Sequence, residues 1–300
     1  MKKGLLLLML IVLMTGSFSA FAVQAQDDEM LPSCDPEYFA AAAEEMGAGF
    51  MEIEDIMAVP DDPTSEDIAT AAITADALAY GFWEAFFEGM EEEDACLEIW
   101  WLGYTGGLVL DELLVISQLG AVATYEEEAG NSEISEALLE LFNARLEQMM
   151  SGLEELGSVS EAIGSGEMID IDLPECTQEE LDDTLEGMDI IASAYEELGG
   201  MAEEASGEDL SALVMGFATL SNGYWEEVYP VIPECYEVSD LGFTMGLILD
   251  ESLIVVSNMR LAELASDAGH DDLAEVFAES AAVRAEELVV AIEDYFGTEE

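Results

Sequence analysis

The chain has 300 residues, with 69 Asp or Glu against five Lys or Arg, for a formal net charge of −64. That charge excludes nucleic acid as a partner, because phosphate contacts need Lys and Arg, and it excludes an anionic membrane surface for the same reason. Hydrophobic residues still make up 51 % of the chain. That is enough for a sizeable core and too much for a disordered acidic tail.

The first 25 residues carry a basic head, Lys2-Lys3, then an apolar run from Leu5 to Met14, then small residues up to Ala25. This is the three-part pattern of a secretory signal, with cleavage expected after Ala22 or Ala25 and a secreted or periplasmic product. Ten apolar residues are too few to span a bilayer. The leader holds both lysines and no acid, so its loss takes the charge to −66 and leaves Arg145, Arg260 and Arg284 as the only cations.

Next comes a pattern that repeats. Leu31-Pro32-Ser33-Cys34 matches Leu173-Pro174-Glu175-Cys176, and Gly81-Phe82-Trp83-Glu84 matches Gly223-Tyr224-Trp225-Glu226, both 142 residues on. A three-residue deletion shifts the offset to 139. Cys96 then matches Cys235, Leu108 to Glu112 matches Leu247 to Glu251, Gly130 matches Gly269, and Arg145 matches Arg284. Two constant offsets over this length imply a tandem duplication. The expected organisation is a signal over 1–25, one unit over 27–157, an acidic Gly/Ser linker over 158–172, and a second unit over 173–297.

Each unit reads as four helices, so the expected fold is all-α, a helical bundle of about eight helices. In the first helix Phe39, Ala43, Met46, Phe50, Ile53 and Met57 recur at steps of three and four, which draws one apolar stripe. Asp35-Pro36 caps it, and in the second unit Thr177 with Glu180 forms a capping box. The second helix starts near Thr64 to Asp67, after Pro60 and Pro63, and its counterpart near Ser206 to Asp209. A third helix spans about Cys96 to Glu128 and a fourth about Ser132 to Leu156. Gly130 and Gly269 stand where a helix must stop.

The cysteines follow from that order. Cys34 precedes the first helix and Cys96 follows the second, so both sit at the open end of one helical hairpin. Cys34–Cys96 and Cys176–Cys235 are the expected disulfides, as suits an exported chain. With one histidine and no Cys-x-x-Cys, a zinc site is the weaker reading.

The third helix carries the candidate site. Trp100 to Leu119 is almost wholly apolar, yet Asp111 and Glu112 stand in its middle, and Asp250 and Glu251 repeat them. Thr105, Glu112 and Gln118 form a narrow polar stripe, matched by Thr244, Glu251 and Ser257. An acid inside an apolar helix needs a partner or a proton. If Gly130-Asn131 turns the hairpin, Arg145 comes within reach of Glu112, and Arg284 within reach of Glu251. The candidate binding residues are therefore Thr105, Asp111, Glu112, Arg145, Thr244, Asp250, Glu251 and Arg284, with ion pairs that fix helix register as the plainer role. Gly103 with Gly107 and Gly242 with Gly246 allow close helix approach. The aromatics near Trp83 and Trp225, and the methionines, read as core. His270 reads as a turn residue in solvent.

No Glu-x-x-His pair, EF-hand loop, Gly-rich phosphate loop or Ser/His/Asp set is present. The chain therefore reads as an exported, highly acidic helical binding or scaffold protein adapted to a saline or ion-rich exterior, without a catalytic signature. Cations or a basic protein partner fit its field. A divalent-cation-binding protein is the first alternative, with calcium the ion that abundant oxygen ligands favour and no other cofactor expected. An enzyme using the third-helix carboxylates is the second.

Overall fold

The computed structural model describes residues 60, 63–89, 97–164, 176–202, 205–232 and 235–296. Among these there are seven α-helices and no strand: α1 (Ser65–Gly89), α2 (Leu97–Glu128), α3 (Ser132–Gly164), α4 (Gln178–Ala202), α5 (Glu208–Gly223), α6 (Tyr236–Asp267) and α7 (Asp271–Phe296). The helix expected around Phe39 to Met57 lies outside the described residues, as do the linker beyond Gly164 and the Cys34–Cys96 bridge.

Local chemistry sets the helix borders. Thr64 and Asp67 cap α1 reciprocally: the Thr64 amide donates to Asp67 Oδ2 at 2.9 Å and the Asp67 amide donates back to Thr64 Oγ1 at 3.2 Å. These bonds hold the Asp67 carboxyl below its usual range, the backbone bond from Thr64 first and its hydroxyl second. Thr177 and Glu180 do the same for α4. Two matching turns stop α2 and α6. Gly130 and Gly269 adopt φ of 87° and 83°, the left-handed region that a Cβ disfavours. Asn131 N–H reaches Glu126 O and His270 N–H reaches Ala265 O, both at 2.8 Å, which closes a Schellman turn at each end. One border differs from expectation. Helix α3 runs on to Gly164, past Ser158, because Leu156, Val159 and Ile163 continue the three-and-four spacing into the Gly/Ser segment.

The chain gathers into two compact units. Unit 1 holds Met1–Pro60, Thr74–Leu114 and Leu146–Asp172; unit 2 holds Asp61–Ile73, Val115–Arg145 and Leu173–Glu300. Helices α1, α2 and α3 each contribute to both.

Unit 2 is built on α6, which is apolar on every side. Leu249, Leu253, Ile254 and Leu261 along it are fully buried or nearly so, and α4, α5 and α7 pack around it. A helix without a polar face belongs in a core or a membrane. Thr105–Glu128 and Leu241–Asp267 are long and apolar enough to cross a membrane by length and composition alone, but 72 % of each window is buried inside the protein.

Between α5 and α6 the chain makes a π turn, Tyr224–Val228, and a 3-10 turn, Tyr229–Val231. The extra residue of the π turn re-aims Trp225 and Tyr229 onto Phe243, with ring centroids 4.9 to 6.5 Å apart. This cluster continues into buried Met188, Tyr224, Met245 and Leu249, so here the aromatics are core. Cys176 and Cys235 are bridged, with Cα atoms 5.1 Å apart and a sequence separation of 59. In the chain-entropy picture, closing a loop of that size contributes roughly 4 kcal/mol.

Candidate functional site

The glycines of α2 and α6 make room for tryptophan. In unit 1 the Trp83 indole of α1 lies flat on Gly107 of α2, where any Cβ would overlap the ring. Its Nε1–H donates to Asp111 Oδ2 at 2.9 Å. In unit 2 the Trp225 indole lies on Gly246 of α6 in the same way, and its Nε1–H donates to Asp250 Oδ2 at 2.9 Å. Glycine and aspartate stand four residues apart in both helices, so one helical turn supplies both the flat floor and the acceptor. These two half-buried carboxylates are thus indole acceptors, a role that spacing within one helix did not reveal.

Asp250 has further donors. Arg145, on α3 and 1 % exposed, directs Nη2 to Asp250 Oδ1 at 3.0 Å and Nη1 to Ser221 Oγ at 3.1 Å. The Ser221 hydroxyl also donates to Asp250 Oδ1. Asp250 therefore accepts from Trp225, Arg145 and Ser221, which occupies most of its lone pairs. Asp250 is a partner of Arg145 that sequence register did not foresee, because the register argument weighed only the α2–α3 hairpin. The expected pair of Arg284 with Glu251 is present, Nη1 lying 2.8 Å from both carboxylate oxygens.

The remaining candidates are placed as follows. Thr105 is buried on α2, Glu112 is half-buried one residue after Asp111, and Thr244 is half-buried on α6. Further along the two polar stripes lie Gln118 and Ser257, both buried, and Gln118 Nε2 donates to Asn258 Oδ1 at 2.7 Å.

The third arginine anchors a cluster that sequence reasoning missed. Glu126, fully buried on α2, accepts from Arg260 Nε at 2.8 Å and from the Ser211 hydroxyl through Oε1, and from Asn131 Nδ2 at 2.7 Å through Oε2. Burial alone would raise this carboxyl; the bonds from Arg260, Asn131 and Ser211 outweigh it and hold the group below its usual range. Arg260 Nη1 also reaches Glu263 at 3.1 Å, and Glu263 in turn accepts the Gly207 amide at 2.8 Å. The signal available in the sequence was the scarcity of cations: a lone arginine in an apolar helix must have a carboxylate nearby.

His270 is less solvated than expected. Its Nδ1 pairs with the Tyr125 hydroxyl at 2.8 Å, and its Nε2 lies 3.9 Å from Glu66. Burial first, then the nearby Glu128 and Glu66 charges, push the Tyr125 phenol up, so it stays protonated well into the alkaline range.

The carboxylates of Glu126, Asp250 and Glu251 accept from guanidinium, indole, hydroxyl or amide donors. Among the described residues no three His, Cys, Asp or Glu side chains converge as a metal ion would require. No protein-family model, curated protein or solved structure matches this chain.

Proposed function

We propose that this chain is an exported, non-catalytic helical binding or scaffold protein of a saline or ion-rich exterior, built by tandem duplication of a four-helix unit. The observation that carries the reading is the fate of the arginines. Arg145, Arg260 and Arg284 are 1, 4 and 6 % exposed, and each is held by carboxylates in the interior. The described surface therefore presents carboxylates and no Lys or Arg. Such a surface repels itself over a Debye length of about 10 Å at 0.1 M salt, and over only about 3 Å at 1 M. Carboxylates also keep a protein soluble where salt is high.

The duplication is supported by features that recur at matching positions: the tryptophan seats, the two left-handed glycine turns, and the two constant sequence offsets. The leader and the disulfide agree with a secreted or periplasmic place. Partners that suit this field are cations or a basic protein surface, and nucleic acid does not.

The test is thermal unfolding of the processed chain, followed by circular dichroism at pH 7 from about 10 mM to about 2 M NaCl. The expected result is a midpoint that climbs steeply with salt, and an expanded chain at the dilute end. A midpoint that stays level across that range, with chelator present, would sink the habitat reading. Calcium titrated at matched ionic strength separates a bound divalent ion from plain screening: stabilisation beyond the NaCl curve would replace this reading by the cation-binding one.

A further inference from the structure

Helix α7 packs on α6 through Phe277, Ala281 and Arg284, which share one face and are buried. Roughly 120° around the helix, at about 100° per residue, Val276, Val283 and Val290 line up as a second apolar row. They are 42, 47 and 55 % exposed. Steps of seven keep them on one line, two turns or about 10.5 Å apart. Beta-branched residues at that period fill one of the two layers of a two-helix coiled-coil seam. Glu279 and Glu286 border the row on one side, Ser280 and Glu287 on the other. The positions of α3 that match it 139 residues earlier are Ala137, Ala144 and Ser151, so the row is not inherited from the shared pattern. Single exposed valines need no explanation; three in register do.

We infer that the Val276–Val283–Val290 row is a docking face for an amphipathic helix of another protein, one whose apolar seam is flanked by Lys and Arg. Charge selects the occupant. A second copy of this chain would bring Glu279, Glu286 and Glu287 against the same acids. The described surface offers no Lys or Arg to relieve that repulsion. A helix with basic flanks puts cations beside these glutamates. This inference deepens the binding reading above and rests on it.

The test uses the full processed chain and a synthetic three-heptad helix with leucine at the seam and lysine on both flanks. A twin peptide with glutamate flanks is the control. Binding is followed by fluorescence anisotropy at about 0.15 M and about 1 M NaCl. The double variant Val283→Ser/Val290→Ser keeps every charge and alters only exposed side chains; circular dichroism checks its folding. The expected result is binding of the lysine peptide, roughly tenfold or more weaker in the double variant, and no binding of the glutamate twin. Equal binding to wild type and double variant would mean plain attraction to a polyanion and would overturn the inference. So would no binding of the lysine peptide, equal binding of the glutamate twin, or self-association of the chain that the double variant abolishes. A salt-independent fold would instead count against the habitat reading and leave the peptide result standing.

Discussion

The two tryptophan seats share a floor and an acceptor and differ in one hydroxyl. Trp83 rests on Gly107 and donates to Asp111; Trp225 rests on Gly246 and donates to Asp250. In the second seat Ser221 and Arg145 also donate to Asp250. The position matching Ser221 is Ala79, which has no hydroxyl to offer. In the proposed duplication, one local device was kept twice while a hydroxyl beside its carboxylate was not. The lesson is that the glycine and aspartate set within one helical turn are kept, while one of the donors brought to them from another helix is not.

The largest expected effect breaks the second seat. Asp250→Ala takes a carboxylate from a buried guanidinium and an acceptor from Trp225, and should cost about 3–5 kcal/mol. Urea unfolding at high salt, where general repulsion is screened, is the measurement. The double variant Asp250→Leu/Arg145→Met removes both charges and should recover most of the loss, since paired apolar replacement of a buried ion pair is often neutral. Trp225→Phe removes only one of the three donors, at about 1.5–3 kcal/mol, and Trp83→Phe should cost much the same, because the indole bond to a carboxylate is common to both. A gap above about 1 kcal/mol between the two would mean the seats are not equivalent.

A second asymmetry sharpens the first. Glu126 and Arg260 form a buried pair, while the positions matching them are Ala265 and Ala121. Glu126→Gln should cost about 2–3 kcal/mol, because Arg260 keeps Glu263. The pH dependence has a definite sign. The folded-state carboxyl of Glu126 is lowered, so its contribution is complete above the unfolded value of about 4.3 and is lost as pH falls through the folded one. Wild type should therefore lose its advantage over Glu126→Gln on acidification below about pH 4, and hold it unchanged from pH 6 to 8. An advantage that grows toward low pH would contradict the assignment.

What could be read from sequence follows the same division. Capping residues, Gly130 and Gly269, and the Cys176–Cys235 bridge act within one helix end or one hairpin, where spacing is enough. The Arg284–Glu251 pair spans a single hairpin and was legible too. Arg145 meets Asp250 across 105 residues and Arg260 meets Glu126 across 134. Those contacts depend on which face α6 turns toward α2 and α3, and apolar residues on every side of α2 and α6 leave that face unmarked. The Trp83–Asp111 bond spans only 28 residues. It was hidden because both residues had bland readings of their own, an aromatic core residue and a register-setting acid.

The smallest expected effect lies at the two turns, and it sets their shared backbone against their unlike next residues. Gly130→Ala and Gly269→Ala each place a Cβ in the left-handed region, at about 1–2 kcal/mol. Nothing lies within 4 Å of either added Cβ, so the cost is conformational and should be nearly equal. The following residues differ. Asn131 binds the buried Glu126, whereas His270 pairs with Tyr125. Gly130→Ala shifts Asn131 and so weakens a donor to a buried carboxylate; Gly269→Ala shifts a partly exposed ring. A larger loss for Gly130→Ala than for Gly269→Ala, measured by thermal unfolding near pH 7, is therefore expected. Restoring equality by making Gly130→Ala in a Glu126→Gln background would trace the difference to that carboxylate, while a difference that persists there would place it in the backbone of the turn itself.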